Sequence, residues 1–271
     1  MQQLERFRKI NGNTLKIIAC ISMLIDHFAA GLIVPVVNNG LYDGDLPFET
    51  INIIYKTLRG IGRTAFPIFC FLLVEGFIHT KNRLRYALSL LIFGIISEPF
   101  YDVTFYAKEE IFNPNIIEVL KANSATLNNR CNVYFTLLIG LLVIWAIQSS
   151  FLLVKKLKVH YGFALILSGL ASFLGIFVAE KISTDYHGYG VGLIIIFYVL
   201  RTRQPLDLIA AYALLCCINT EYLALPAFIL MFLYNKKRGR KLGNFKYFFY
   251  AFYPVHILFV YLLRCFLTGQ P

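Results

Sequence analysis

The chain has 271 residues, of which 58% are hydrophobic and only 15% charged, with a formal net charge of +11. So little charge, with apolar stretches recurring from end to end, excludes a soluble globular domain and predicts an all-α polytopic membrane protein. Strand-period alternation is absent, which argues against a transmembrane barrel, and no nucleic-acid partner is expected.

The N-terminal segment MQQLERFRK is basic and leads into an apolar run over residues 14–37. A signal peptide would share that start, but the run is too long, carries Asp26 and His27, and ends without a small-x-small cleavage site. It reads as a retained first helix. An Asp at a helix centre costs roughly 2.5–3.5 kcal/mol on insertion scales, so an intramembrane Asp-His pair points to function. At 1.5 Å per residue, His27 lies roughly 20 Å past Thr14 in a core about 30 Å thick. Neighbouring side chains on a helix point about 100° apart, so Asp26 is expected to serve a different partner from His27.

Further apolar segments predict helices near 63–80, 84–100, 133–154, 161–180, 187–200, 205–218, 222–234 and 246–268. That makes about nine transmembrane helices (eight to ten) in a single domain over residues 1–271. Segments 205–218 and 222–234 are short, and a re-entrant hairpin there is the alternative. With the N-terminus cytoplasmic, the inner segments collect Arg6, Arg8, Lys9 and Lys16, then Lys81, Arg83 and Arg85, then Lys155, Lys156 and Lys158. Arg201, Arg203 and the basic run Lys236–Lys246 complete the set. The outer loops collect Asp43, Asp45, Glu49, Asp102, Glu109, Glu110, Glu118, Asp185 and Glu221. The net charge is therefore an inner-face property, suited to anionic lipid.

The polar groups at depth come next. Arg63 opens the second predicted helix and is the expected ionic partner of Asp26. Pro67 follows and is expected to loosen that helix. Glu98 closes the third helix, Asn132 opens the fourth, and Asp185 and Tyr186 form the outer turn before the sixth. His256 lies near mid-depth in the last helix, just past Pro254. Six cysteines without a C-x-x-C read as small buried hydrophobes, and no metal site is expected. The polar residues together predict a cavity, since two histidines and several acids exceed what helix packing needs.

Six blocks of sequence resemble the TraX family, in order and over nearly the whole chain: residues 15–27 (LKIIACISMLIDH), 62–80 (GRTAFPIFCFLLVEGFIHT), 97–102 (SEPFYD), 132–141 (NVYFTLLIGL), 185–191 (DYHGYGV) and 246–256 (KYFFYAFYPVH). The founding member of that family is implicated in acetylating the N-terminus of a conjugative pilin. The family also looks like part of a broader group of transmembrane acyltransferases that take an acyl group from cytosolic acyl-CoA. In that group a histidine on an early helix is thought to be the base, and His27 is the matching position.

The resemblance implies an acyl-CoA-dependent O- or N-acetyltransferase in a bacterial cytoplasmic membrane, in contact with membrane lipid. Its donor would be acetyl-CoA, and its acceptor a peptide N-terminus, a glycan or a lipid-linked sugar outside the cytoplasm. His27, Asp26, Arg63 and His256 are the catalytic candidates, with the base open between the two histidines. Lys81, Arg83, Arg85, Lys246 and Tyr253 are candidates for the donor, and Glu98, Asn132, Asp185 and Tyr186 for the acceptor. Arg63 or Asn132 would meet the developing oxyanion. The alternatives are a proton-coupled transporter or flippase using Asp26 and His27 as a relay, and a non-catalytic assembly factor.

Overall fold

The computed structural model describes residues 8–127, 130–240 and 246–268. Among these residues the backbone is helical and forms no strand, only two isolated bridges, Ile10 to Tyr234 and Cys131 to Thr184. The helices, in chain order, are α1 (Gly12–Phe28), α2 (Phe48–Gly62), α3 (Ala65–His79), α4 (Arg83–Phe105), α5 (Ile116–Ala122), α6 (Ser124–Leu127) and α7 (Val133–Leu157). They continue with α8 (Gly162–Lys181), α9 (His187–Leu200), α10 (Leu206–Leu215), α11 (Leu225–Phe232) and α12 (Lys246–Thr268).

Among the described residues, six helical runs are long and apolar enough to cross a membrane: Gly12–Asn38, Phe48–His79, Arg83–Phe105, Val133–Leu157, Gly162–Lys181 and Tyr247–Thr268. Three apolar helical segments are shorter, His187–Leu200, Leu206–Leu215 and Glu221–Phe232. The protein is thus a multi-pass helical membrane protein. The outward side chains of α8 include Leu165, Ile166, Leu170, Phe173, Leu174 and Phe177, all exposed. Such a face would be a liability in water and suits hydrocarbon.

The structure corrects one sequence boundary that matters. Arg63 does not open a helix from the outer edge. It caps the C-terminus of α2, in the middle of a 32-residue run, Phe48–His79. Asn52, Lys56 and Arg59 dilute the hydropathy of α2, which hid it as a span, although its apolar residues still fall on one face. The first helical run is not plain α-helix throughout. α1 is capped by Asn11, whose side chain accepts from the Thr14 amide at 3.0 Å. A π-helical turn, Ala29–Ile33, follows, and a last α-turn, Val34–Asn38, completes the run.

The chain packs as two compact units. One comprises Met1–Phe69, Ile95–Asn129 and Thr220–Pro271; the other comprises Cys70–Gly94 and Arg130–Asn219. In the first, α1 packs on α2 and α12, with Leu15, Ala19, Val103, Ile257, Val260 and Tyr261 buried. Its entry is held by backbone bonds from Gly12 N to Lys237 O (2.9 Å) and Asn13 N to Arg238 O (3.0 Å). In the second, α7, α8, α9 and α10 pack side by side around Leu141, Ile144, Val191, Ile194 and Leu215. Lipid tails are as apolar as leucine, so within a bilayer this packing rests on close contact and interhelical hydrogen bonds.

Candidate active site

The first unit gathers the ionisable residues of α1. Ser22 and Asp26 lie one turn apart and face the break between α2 and α3. Asp26 forms an ion pair with Arg59. The Ser22 and Thr64 hydroxyls share a hydrogen bond of 2.8 Å. Gly62 makes this contact possible, because a Cβ there would overlap the Asp26 carboxyl.

Arg63 instead pairs with Glu221, Nη1 to Oε1 at 2.7 Å, with Glu221 2% exposed. The expected Asp26–Arg63 ion pair is therefore corrected: Asp26 takes Arg59 and Arg63 takes Glu221. Arg59 stands one turn before Arg63, so both guanidiniums leave the same end of α2, where the helix dipole favours positive charge. Glu221, read from the sequence as an outer-loop acid, is buried at the start of a 3₁₀ turn, Glu221–Ala224. An isolated charge in this setting would be prohibitive, and pairing removes most of that cost.

His27 reaches across to α12. Its Nδ1 lies 2.6 Å from His256 Nε2, with the two rings nearly parallel at 15°. His256 Nδ1 lies 2.6 Å from the Phe252 carbonyl oxygen. A carbonyl only accepts, so His256 carries its proton on Nδ1 and presents a lone pair at Nε2. His27 must then donate through Nδ1, which leaves the His27 lone pair on Nε2. Among the described residues, His27 Nε2 makes no hydrogen bond. His256 is 4% exposed, whereas His27 is half-buried. Tyr253 and Phe105 set their rings edge-on to His27 at 5.8 and 5.0 Å. The result is an imidazole held on three sides, whose Nε2 is turned away from those partners and is the basic nitrogen in the neutral form.

Residues 11–264 of this chain match the TraX protein family. The chain belongs to the TraX family. A relative of this TraX chain, the probable fimbrial assembly protein FimC, serogroup H1, of Dichelobacter nodosus, is 32% identical over 268 residues, covering 93% of this chain and 95% of the relative. No solved structure matches.

The four catalytic candidates, His27, Asp26, Arg63 and His256, all lie in the first unit of this TraX chain, joined by Arg59, Glu221, Phe105 and Tyr253. Tyr253 is buried against both imidazoles, at 5.8 Å from His27 and 5.7 Å from His256. Glu98 also belongs to this unit but does not close its helix, as the sequence suggests: α4 runs on past Pro99 to Phe105, and Asp102 follows Glu98 one turn later on the same face.

The remaining candidates lie in the second unit. Asn132 caps α7, accepting from Tyr134 N at 2.9 Å while its amide donates to Gly94 O at 2.8 Å. The Asp185 carbonyl accepts from the Thr136 hydroxyl, and Tyr186 takes a left-handed backbone, φ 65°, at the start of α9. Lys81 and Arg85 are exposed, and Arg83 stacks over the Phe77 ring at 4.5 Å. The side chain of Lys246 lies outside the described residues.

Proposed function

We propose that this protein is an integral membrane acetyltransferase that moves an acetyl group from acetyl-CoA to an amine or hydroxyl acceptor, with His27 Nε2 as general base. The observation that carries the reading is the fixed tautomer of the His27–His256 pair. TraX membership and a fimbrial assembly protein among the relatives support it, and favour a fimbrial subunit as acceptor.

In the proposed reaction, His27 Nε2 takes the proton of the attacking amine or hydroxyl as that group adds to the thioester carbonyl. The new N–C or O–C bond leaves a tetrahedral oxyanion, which an arginine of the Arg59/Arg63 pair would stabilise. The intermediate collapses, the C–S bond breaks, and the CoA thiolate takes the proton back from His27. His256 acts on the imidazolium as a buried acceptor at Nδ1. Neither step needs a metal or a covalent enzyme intermediate.

The orientation that fits this chemistry puts the N-terminus in the cytoplasm of a bacterium, with about nine passes through the inner membrane. Lys81, Arg83, Arg85 and Lys246 would then border the cytosolic donor, while Glu98, Asn132, Asp185 and Tyr186 would lie toward an extracytoplasmic acceptor.

The test uses purified protein in lipid nanodiscs with acetyl-CoA and a synthetic peptide copying the N-terminus of a fimbrial subunit. Acetylated peptide and free CoA in equal amounts, read by mass spectrometry, are the expected result. Neither CoA release nor acetyl-CoA binding, together with proton-driven substrate uptake into proteoliposomes, would replace this reading with the transporter.

A further inference from the structure

Arg264 is 1% exposed and is the largest fully buried side chain among the described residues. Its charge faces no carboxylate there. It is spent on three backbone carbonyls. Nη1 donates to Gly31 O at 3.0 Å and Thr104 O at 2.9 Å, and Nη2 donates to Val103 O at 3.0 Å. The ring of Tyr261 lies beneath the guanidinium at 4.9 Å.

The acceptors are left short of donors for two reasons. The residue four beyond Gly31 is Pro35, which has no N–H to return to that carbonyl. Val103 and Thr104 stand in the last turn of α4, whose carbonyls run out of helical donors. The next two amides, Tyr106 N and Ala107 N, both go to Asp102 O. One planar guanidinium fork thus joins the π-turn after α1 to the end of α4, from a position on α12.

Both anchored segments adjoin His27. Gly31 is four residues past it, and Phe105, whose ring packs on His27, directly follows Thr104. At Gly31 the three elements converge so closely that a Cβ would meet Thr104 Cγ2 and Val260 Cγ1 at 2.8 Å. His256 lies on α12 eight residues before Arg264, about 12 Å along the axis.

We infer that Arg264 is a positioning residue for the imidazole pair. By clamping the π-turn and the Phe105 wall to the helix that carries His256, it holds His27 Nδ1 on His256 Nε2 and keeps Nε2 aimed outward. Its effect on turnover rests on the acetyltransferase reading; its effect on the imidazole geometry does not.

Arg264→Lys keeps the charge and loses the fork. Two measurements on the same nanodisc protein test it. The first is turnover with acetyl-CoA and the fimbrial peptide: kcat is expected to fall about 100-fold, the usual cost of a misplacement near 1 Å, with KM for acetyl-CoA unchanged within about twofold. The second is the NMR signal of the hydrogen-bonded His27 Nδ1 proton in ¹⁵N-histidine-labelled protein, expected in the wild type and lost in R264K. If R264K does not fold, Gly31→Ala is read in its place, since it pushes Thr104 and Val260 off the same junction. A folded variant that keeps both kcat and the proton signal overturns the inference, as does a wild type without that signal. Loss of the signal in a protein that never transfers acetyl leaves the positioning role standing and removes the acetyltransferase reading.

Discussion

The two units differ in where their side-chain pairs sit. In the second, the Asn132 amide, the Thr136 hydroxyl and the Arg201 guanidinium donate to backbone, at Gly94 O, Asp185 O and Tyr198 O, and the ion pair of His187 with Glu180 is exposed. In the first, polar side chains meet one another: Asp26 with Arg59, Arg63 with Glu221, His27 with His256, Ser22 with Thr64. A donor spent on a carbonyl holds the backbone in place, and at His256 it also sets the tautomer. A side chain paired with another side chain, away from solvent, keeps a lone pair or a proton whose position the protein controls. Such inward pairs mark the first unit as the reactive one.

The largest test of that contrast is His27→Ala, which removes the base itself. Acetyl transfer per folded molecule should fall by about 10²–10⁴-fold, measured by acetylated product; full retention would break the assignment of the first unit as the reactive one. Next is Glu221→Ala, which removes the buried carboxylate that pairs with the half-buried Arg63. Thermal unfolding in nanodiscs should show a loss of about 3–5 kcal/mol, and Arg63→Met on top of it should restore part of that loss. His256→Ala should cost roughly 100-fold in turnover by freeing the His27 ring, with His256→Gln recovering part, because a Gln oxygen can still accept from Nδ1. The smallest effect belongs to the second unit. Thr136→Val removes only the bond to Asp185 O, so stability should drop by about 1–2 kcal/mol while turnover per folded molecule stays within about twofold. An equal loss of turnover there would erase the distinction between the units.

Much of this was legible in the sequence, and the failures have physical causes. Asp26 and His27 stand out because a bilayer penalises them, and His256 because Pro254 and an aromatic run frame it. Their partners are a different matter. His27 and His256 are 229 positions apart, and no periodicity links them. The sequence points Asp26 to Arg63 because α2 reads as a loop: Lys56 and Arg59 lower its hydropathy, although Arg59 and Arg63 are one turn apart and share a face. Glu221 reads as a loop acid between two short apolar stretches, and its burial depends on a partner 158 positions away, Arg63, that no local pattern reveals. Arg264 left no signal at all, since a lone Arg near the end of a hydrophobic helix is ordinarily an interfacial anchor.

The π-turn at Ala29–Ile33 has a consequence for how this helix tolerates change. A π-turn holds one residue more than the α-helical path it replaces, so it behaves as an insertion stored in the backbone. Deleting any one residue between 29 and 33 would let the helix close into ordinary α geometry. The side chains beyond it would then keep their direction relative to His27, because the α path and the π-turn it replaces cover the same rotation. The same deletion in the plain α-helix before it would turn everything downstream by about 100° as a block. The π-turn is thus the one stretch of this helical run that is built to give up a residue and leave its two ends in phase.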